Sequence, residues 1–143
     1  MNILQIAMTV FIFLELMNVT MLYFNPGSKI GNGIGVFDAY EKSKEDEEVH
    51  NLVKYLIYWV AGTKLIFIAL LIVIIFTASY ITQLFAVAVL IASILSFYWR
   101  LYPIMKGMDA KNQITPRGYS KTLHRMIAVF IGGFAIALTI ALV

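Results

Sequence analysis

Apolar residues run along this chain in four long blocks separated by short polar breaks. Ile3 to Phe24 carries one charge, Glu15, and Val53 to Phe76 carries Lys54 at its mouth and Lys64 farther in. Leu84 to Tyr102 carries only Arg100, and Met126 to Val143 carries none. At ~1.5 Å rise per residue the second block makes ~36 Å of helix, longer than the ~30 Å hydrocarbon core of a bilayer. One helix from Val53 through Tyr102 would run ~75 Å, so the chain is expected to turn back within the polar stretch Thr77 to Gln83. The pattern therefore predicts an all-α integral membrane protein, a four-transmembrane-helix up-and-down bundle. Its spans are expected at about 3–24, 53–76, 84–102 and 126–143, within a single membrane domain covering 1–143.

The polar segments supply starts and stops. The first block has neither a basic leader nor a small-residue cleavage pattern, so it reads as a retained span and not a signal peptide. Asn25-Pro26-Gly27 is expected to end it, because proline cannot continue the hydrogen-bond ladder. Gly31, Gly33 and Gly35 alternate in the connection that follows. No strand pattern precedes them and no Lys-Ser or Lys-Thr closes them, so a flexible linker is expected rather than a phosphate loop. Ser43 followed by Glu45, Asp46, Glu47 and Glu48 reads as a hydroxyl cap with carboxylates at the positive end of a helix dipole. The second helix is thus expected to begin near Lys44 and to extend into the cytoplasm, ~50 Å long in all. Pro103 is expected to close the third span, and Thr115 or Ser120 to cap the fourth helix.

Composition agrees with the pattern. Hydrophobic residues make up 61% of the 143 residues and charged ones 13%, well below the ~25% of soluble domains. The net charge of +3 raises the question of nucleic acid, but the basic residues flank apolar blocks and form no separate domain, so no nucleic-acid partner is expected. There is no cysteine, which removes thiolate catalysis, disulfide exchange and Cys-type metal sites.

Charge also predicts orientation. With four crossings, the connections at about 25–52 and 103–125 lie on one side. Lys29, Lys42, Lys44, Lys54, Arg100, Lys106, Lys111, Arg117, Lys121 and Arg125 all lie there, every Lys and Arg except Lys64. The excess of basic residues makes that side cytoplasmic and both termini external, most naturally across the cell (inner) membrane. Tyr23, Tyr55, Tyr58, Trp59, Tyr98, Trp99 and Tyr102 gather at the same boundary as an aromatic belt.

Candidate chemistry is sparse. Glu15 lies ~12 Å and Lys64 ~7.5 Å inward from that belt, near enough for an extended lysine to meet the carboxylate. Asn18 shares the face of Glu15. Ionisable residues inside a span cost ~2.5–3.5 kcal/mol and mark a pathway, a relay or a structural pair. Glu15, Asn18 and Lys64 are therefore expected to form an intramembrane polar cluster, with a snorkelling Lys64 as the bland alternative. Glu47-x-x-His50 is half of a di-iron carboxylate signature, with His124 the remaining histidine, but the second half is missing and neither metal nor haem is expected. Asp109-Ala-Lys-Asn-Gln-Ile lacks the glycine and closing glutamate of a calcium loop and reads as a turn. Arg100, Lys121 and Arg125 are expected to hold anionic headgroups. Ala88, Ala92 and Ser96, and Gly133, Ala137 and Ala141, repeat every fourth residue and are expected to let helices approach closely, facing each other or another subunit.

No complete catalytic constellation and no Gly-x-Ser-x-Gly framework is present. The sequence is therefore read as a non-enzymatic multi-pass membrane protein, a subunit or accessory protein contacting membrane lipid, a partner membrane protein or its own copies. No cofactor is expected. The alternatives are a small oligomeric transporter or channel using Glu15, Asn18 and Lys64 as its polar path, and a lipid-active enzyme in which His124 joins the basic residues.

Overall fold

The computed structural model describes residues 1–30 and 32–143. Among them there is no strand, and four helical stretches are long and apolar enough to cross a membrane: Ile3–Phe24, Glu47–Thr77, Tyr80–Ala110 and Tyr119–Leu142.

Helix α1 (Ile3–Phe24) opens with a reciprocal cap in which Asn2 Oδ1 accepts from the Gln5 N–H and Gln5 Oε1 accepts from the Asn2 N–H, each at 2.9 Å. It stops at Asn25, before Pro26. The connection beyond is not the flexible linker its glycines suggest. It contains a 3-10 turn, Ile34–Val36, and a short helix α2, Asp38–Ser43. A Cβ on Gly35 would run into the Gly27 carbonyl, and one on Gly33 into the Ser28 carbonyl, so these glycines serve close backbone approach. Gly31 lies outside the described residues.

Helix α3 (Glu47–Thr77) starts three residues later than expected, and Asp46, not Ser43, caps it. Asp46 Oδ1 accepts from the N–H groups of Glu48 and Val49 at 3.0 and 3.1 Å. Ser43 terminates α2, so its buried hydroxyl bonds back to the Tyr40 carbonyl at 2.7 Å and meets His50 Nδ1 at 2.9 Å.

The return toward α4 (Tyr80–Leu95) needs only Ala78 and Ser79, with the Ser79 hydroxyl accepting from the Thr82 N–H. The expected break at 77–83 is mostly helix, because Gln83 is a buried cross-helix tie and not a loop residue. Its Oε1 accepts from Asn2 Nδ2 at 2.8 Å and its Nε2 donates to the Ala78 carbonyl at 3.2 Å.

Pro103 does not close the third stretch. The helix tightens to 3-10 at Ser96–Tyr98, bends at Arg100 and resumes as α5 (Leu101–Ala110). Pro103 sits in the first turn of α5, where proline's missing N–H removes no helical bond. The 31 residues from Tyr80 to Ala110 run ~46 Å, longer than the ~30 Å core of a bilayer.

Helix α6 (Tyr119–Leu142) begins well before Met126, and neither Thr115 nor Ser120 caps it. Gly118 occupies the cap position with φ 81°, and Asp109 closes the end from α5. The Asp109 carboxylate accepts from the Gly118 N–H at 2.8 Å, the Ser120 N–H at 3.1 Å and the Ser120 hydroxyl at 2.6 Å. The residue that reads as part of a turn is thus a cap supplied from a neighbouring helix.

Two cores result. The larger lies along α1, whose buried Leu4, Met8, Phe11, Ile12, Val19 and Leu22 face α3, α4 and α6. The smaller, at the end bearing the long connections, gathers Val36, Phe97, Met105, Ile114, Tyr119 and Leu123. Backbone bonds from Asp38 N–H to the Gln113 carbonyl (3.0 Å) and from Thr115 N–H to the Val36 carbonyl (2.8 Å) clasp the two connections together. The Thr115 hydroxyl adds a bond to Asp38 Oδ1 at 3.0 Å.

Candidate functional site

On α1 the core stripe runs Leu4, Met8, Phe11, Val19, Leu22, and on α3 it runs Ile57, Ala61, Ile68, Leu71, Ile75. The three-and-four spacing of each stripe passes through one charged position, Glu15 on α1 and Lys64 on α3. Because α1 and α3 pack antiparallel along these stripes, the two charges meet. Lys64 Nζ donates to Glu15 Oε2 at 2.6 Å and to Asn18 Oδ1 at 2.7 Å. Asn18 in turn donates through Nδ2 to the Asn32 carbonyl at 3.3 Å, tying the cluster to the first connection. The Lys64 and Glu15 side chains are 25% and 18% exposed, so the pair is partly sheltered and opposite charge is held at contact distance.

Toward the connection end, a cavity of about 260 Å³ opens beside the pair, reaching Lys64, Asn18 and Asn32. Away from it the interior closes on aromatic rings. Phe11 packs edge-on against Phe67, Phe130 and Phe134 with centroids 6.0, 5.2 and 5.3 Å away. Beyond that plug lies a second polar group, in which Asn2 and Gln83 are joined and Gln5 Nε2 donates to the Ile75 carbonyl at 2.9 Å. This amide group was not anticipated, although Gln83, Val87 and Leu90 share one helical face and could have flagged Gln83 as inward.

The remaining candidates fall elsewhere. His50 sits with Ser43 and the Tyr40 ring in one cluster, whereas His124 lies against Tyr98 and Tyr102, centroids 5.5 and 5.4 Å away, in another. They are not brought together, and no group of three or more His, Cys, Asp or Glu able to hold a metal occurs among the described residues. Arg100, Lys121 and Arg125 are exposed, with the Arg100 guanidinium 5.4 Å over the Trp99 ring. Between Arg100 and Arg125 the only carboxylate is Asp109, which is committed to the α6 cap. The Ser120 hydroxyl and then the Gly118 N–H hold the Asp109 carboxyl below its ordinary range.

Of the small-residue stripes, Ala137 is buried, whereas Ala88, Ala92, Ser96 and Gly133 are exposed and Ala141 is half-buried. Helix α4 instead buries Gln83, Val87 and Leu90. Its stripe therefore does not form the seam within the chain that the spacing suggests.

No family model, curated protein or solved structure matches this chain.

Proposed function

We propose that this chain is a non-enzymatic multi-pass membrane protein, a subunit or accessory protein that holds anionic lipid or an acidic partner at its connection end. In this reading the four long helices cross the cell membrane, the connection end is cytoplasmic and both chain ends are external. The observation that carries it is the charge division at that end. Arg100, Lys106, Lys111, Arg117, Lys121 and Arg125 are all exposed on α5, α6 and their connection, beside the exposed Trp99, Leu101 and Ile104. Exposed cations next to apolar side chains suit the boundary between headgroups and acyl chains. The acidic residues Glu41, Glu45, Asp46, Glu47 and Glu48 cluster instead on α2 and the start of α3, leaving the α5–α6 face basic.

The test is co-purification in mild detergent followed by native mass spectrometry. Wild-type protein is expected to retain phosphatidylglycerol or cardiolipin over phosphatidylcholine, or to carry an acidic protein partner. Each basic residue near an anionic surface contributes ~1 kcal/mol, so Arg100→Gln/Lys121→Gln/Arg125→Gln should weaken retention by roughly 100-fold. Equal retention of anionic and zwitterionic lipid, with no partner, would sink the reading.

A second reading, a small oligomeric transporter, is favoured by one observation. The Lys64 end of the ion pair borders a cavity on one side, and the Phe11 ring cluster packs the interior on the other, so the polar group is accessible from one side of the bundle. Proteoliposome flux abolished by Glu15→Gln/Lys64→Met, with the fold intact, would favour transport over an accessory role.

A further inference from the structure

The cavity beside Lys64 has a polar floor that offers hydrogen-bond donors. An ammonium carries three N–H donors, and Lys64 uses two of them on Glu15 and Asn18. The Asn18 carbonyl oxygen accepts from Lys64, and its amide donates one hydrogen to the Asn32 carbonyl. Lys64 keeps a third N–H donor and Asn18 a second amide N–H donor at the cavity floor. The walls are the opposite in character, formed by Leu22, Ile34, Val53, Leu56, Ile57 and Val60. Leu56 and Val60 are 44% and 50% exposed, so the mouth opens along the outer face of α3.

Charge narrows the choice of occupant. Glu15 already neutralises the only cation at the floor. An anionic ligand would leave a net negative charge in a sheltered apolar site, and a cationic one would face the Lys64 ammonium. The volume of about 260 Å³ is just below the ~300 Å³ at which drug-sized pockets begin. It suits a small ring or the head of a longer chain.

We infer that this cavity is a binding site for a neutral, apolar molecule bearing a carbonyl acceptor, which receives hydrogen bonds from Lys64 and Asn18. Membrane-soluble quinones and the ester carbonyls of neutral acylglycerols share this chemistry. The site is separate from the basic α5–α6 face and does not depend on what that face binds.

The test is calorimetric titration of the full chain in dodecyl maltoside at fixed detergent concentration, using menadione as the quinone probe and monoolein as the ester probe. Saturable one-to-one binding of either supports the site, and the one that saturates identifies the source. Two variants locate it. Val60→Phe fills the half-exposed mouth and leaves both residues of the ion pair in place, and Glu15→Gln/Lys64→Met removes the ammonium donor without leaving a lone charge. Each should weaken binding at least tenfold, about the contribution of one hydrogen bond or one pocket contact, with the melting midpoint showing that the variant folds. 1-Naphthoate, of similar size but anionic, should bind at least tenfold more weakly than menadione, by about the same margin. Non-saturable uptake of both probes, uptake unchanged by Val60→Phe, or naphthoate binding as tightly as menadione would each overturn the proposal.

Discussion

Lys64 Nζ lies 2.6 Å from Glu15 Oε2, and each residue occupies a position in its helix stripe that would otherwise be apolar. The pair is therefore a fastening between α1 and α3 as well as the floor of a cavity. Asn18, one turn along α1 toward the connection end, accepts from the same ammonium at 2.7 Å.

Removing one partner should cost far more than removing both. Glu15→Gln or Lys64→Met alone strands a sheltered charge and is expected to destabilise by ~3 kcal/mol or more. The double variant should lose only ~1 kcal/mol, the scale of an interhelical hydrogen bond in a bilayer. Thermal melts of all four proteins in one detergent, arranged as a double-mutant cycle, check the coupling. Additive losses would show that the two side chains act independently.

The Asp109 cap should be sensitive to substitution and to acid. Asp109→Ala leaves the N–H groups of Gly118 and Ser120 without their acceptor and should cost ~1 kcal/mol, as N-cap replacements do. Because the folded carboxyl titrates below its unfolded value, its stabilisation is fully present above the ordinary carboxyl range and is lost as pH falls through the lowered value. The difference in melting midpoint between wild type and Asp109→Ala should hold constant from pH 7 to about pH 5 and shrink below about pH 4. A difference that stays constant down to pH 2 would refute the cap.

Two glycine substitutions should part company. Gly35→Ala places a methyl group against the Gly27 carbonyl and forces the first connection to move, at a cost of ~1–3 kcal/mol. Limited proteolysis should then cut within residues 32–46 faster than in the wild-type chain. Gly133→Ala meets nothing within 4 Å and should stabilise α6 by ~0.5–1 kcal/mol. Equal effects on melting and cleavage would contradict the packing of the connection.

Gln83→Leu tests the amide group at the other end. It removes the acceptor of Asn2 and the donor to the Ala78 carbonyl, and should cost ~1–2 kcal/mol despite raising the hydropathy of α4. A gain in stability would mean that Gln83 faces lipid.

The four apolar stretches were legible in the sequence from helical rise and block length, whereas the cluster of Glu15, Asn18 and Lys64 was an expectation from their depths below the aromatic belt, with a snorkelling Lys64 left open. What was not legible depended on partners remote in the chain. Gln83 reads as a turn residue until Asn2 is seen opposite it, and Asp109 reads as part of a loop until Ser120 folds back on it. Ser43 and Asp46 are both competent caps, and only the presence of α2 decides between them. Pro103 looks like a terminator, yet the 3-10 turn and bend before it let a new helix begin in which proline is harmless. The α4 stripe of Ala88, Ala92 and Ser96 has the right spacing for a seam, but Val87 and Leu90 offer more apolar surface to the core and take the inward face.

The clasp between the two connections has a consequence for biosynthesis. Thr115 follows Asp38 by 77 residues, so Val36 and Phe37 leave the ribosome well before the strand-like segment that covers them exists. At ~5–20 residues per second that interval is ~4–15 s, during which a fully apolar patch stands uncovered on the nascent chain. A ribosome stalled before residue 111 should therefore hold a chain prone to aggregation or chaperone capture, and release from the stall should end that vulnerability as Ile114 arrives.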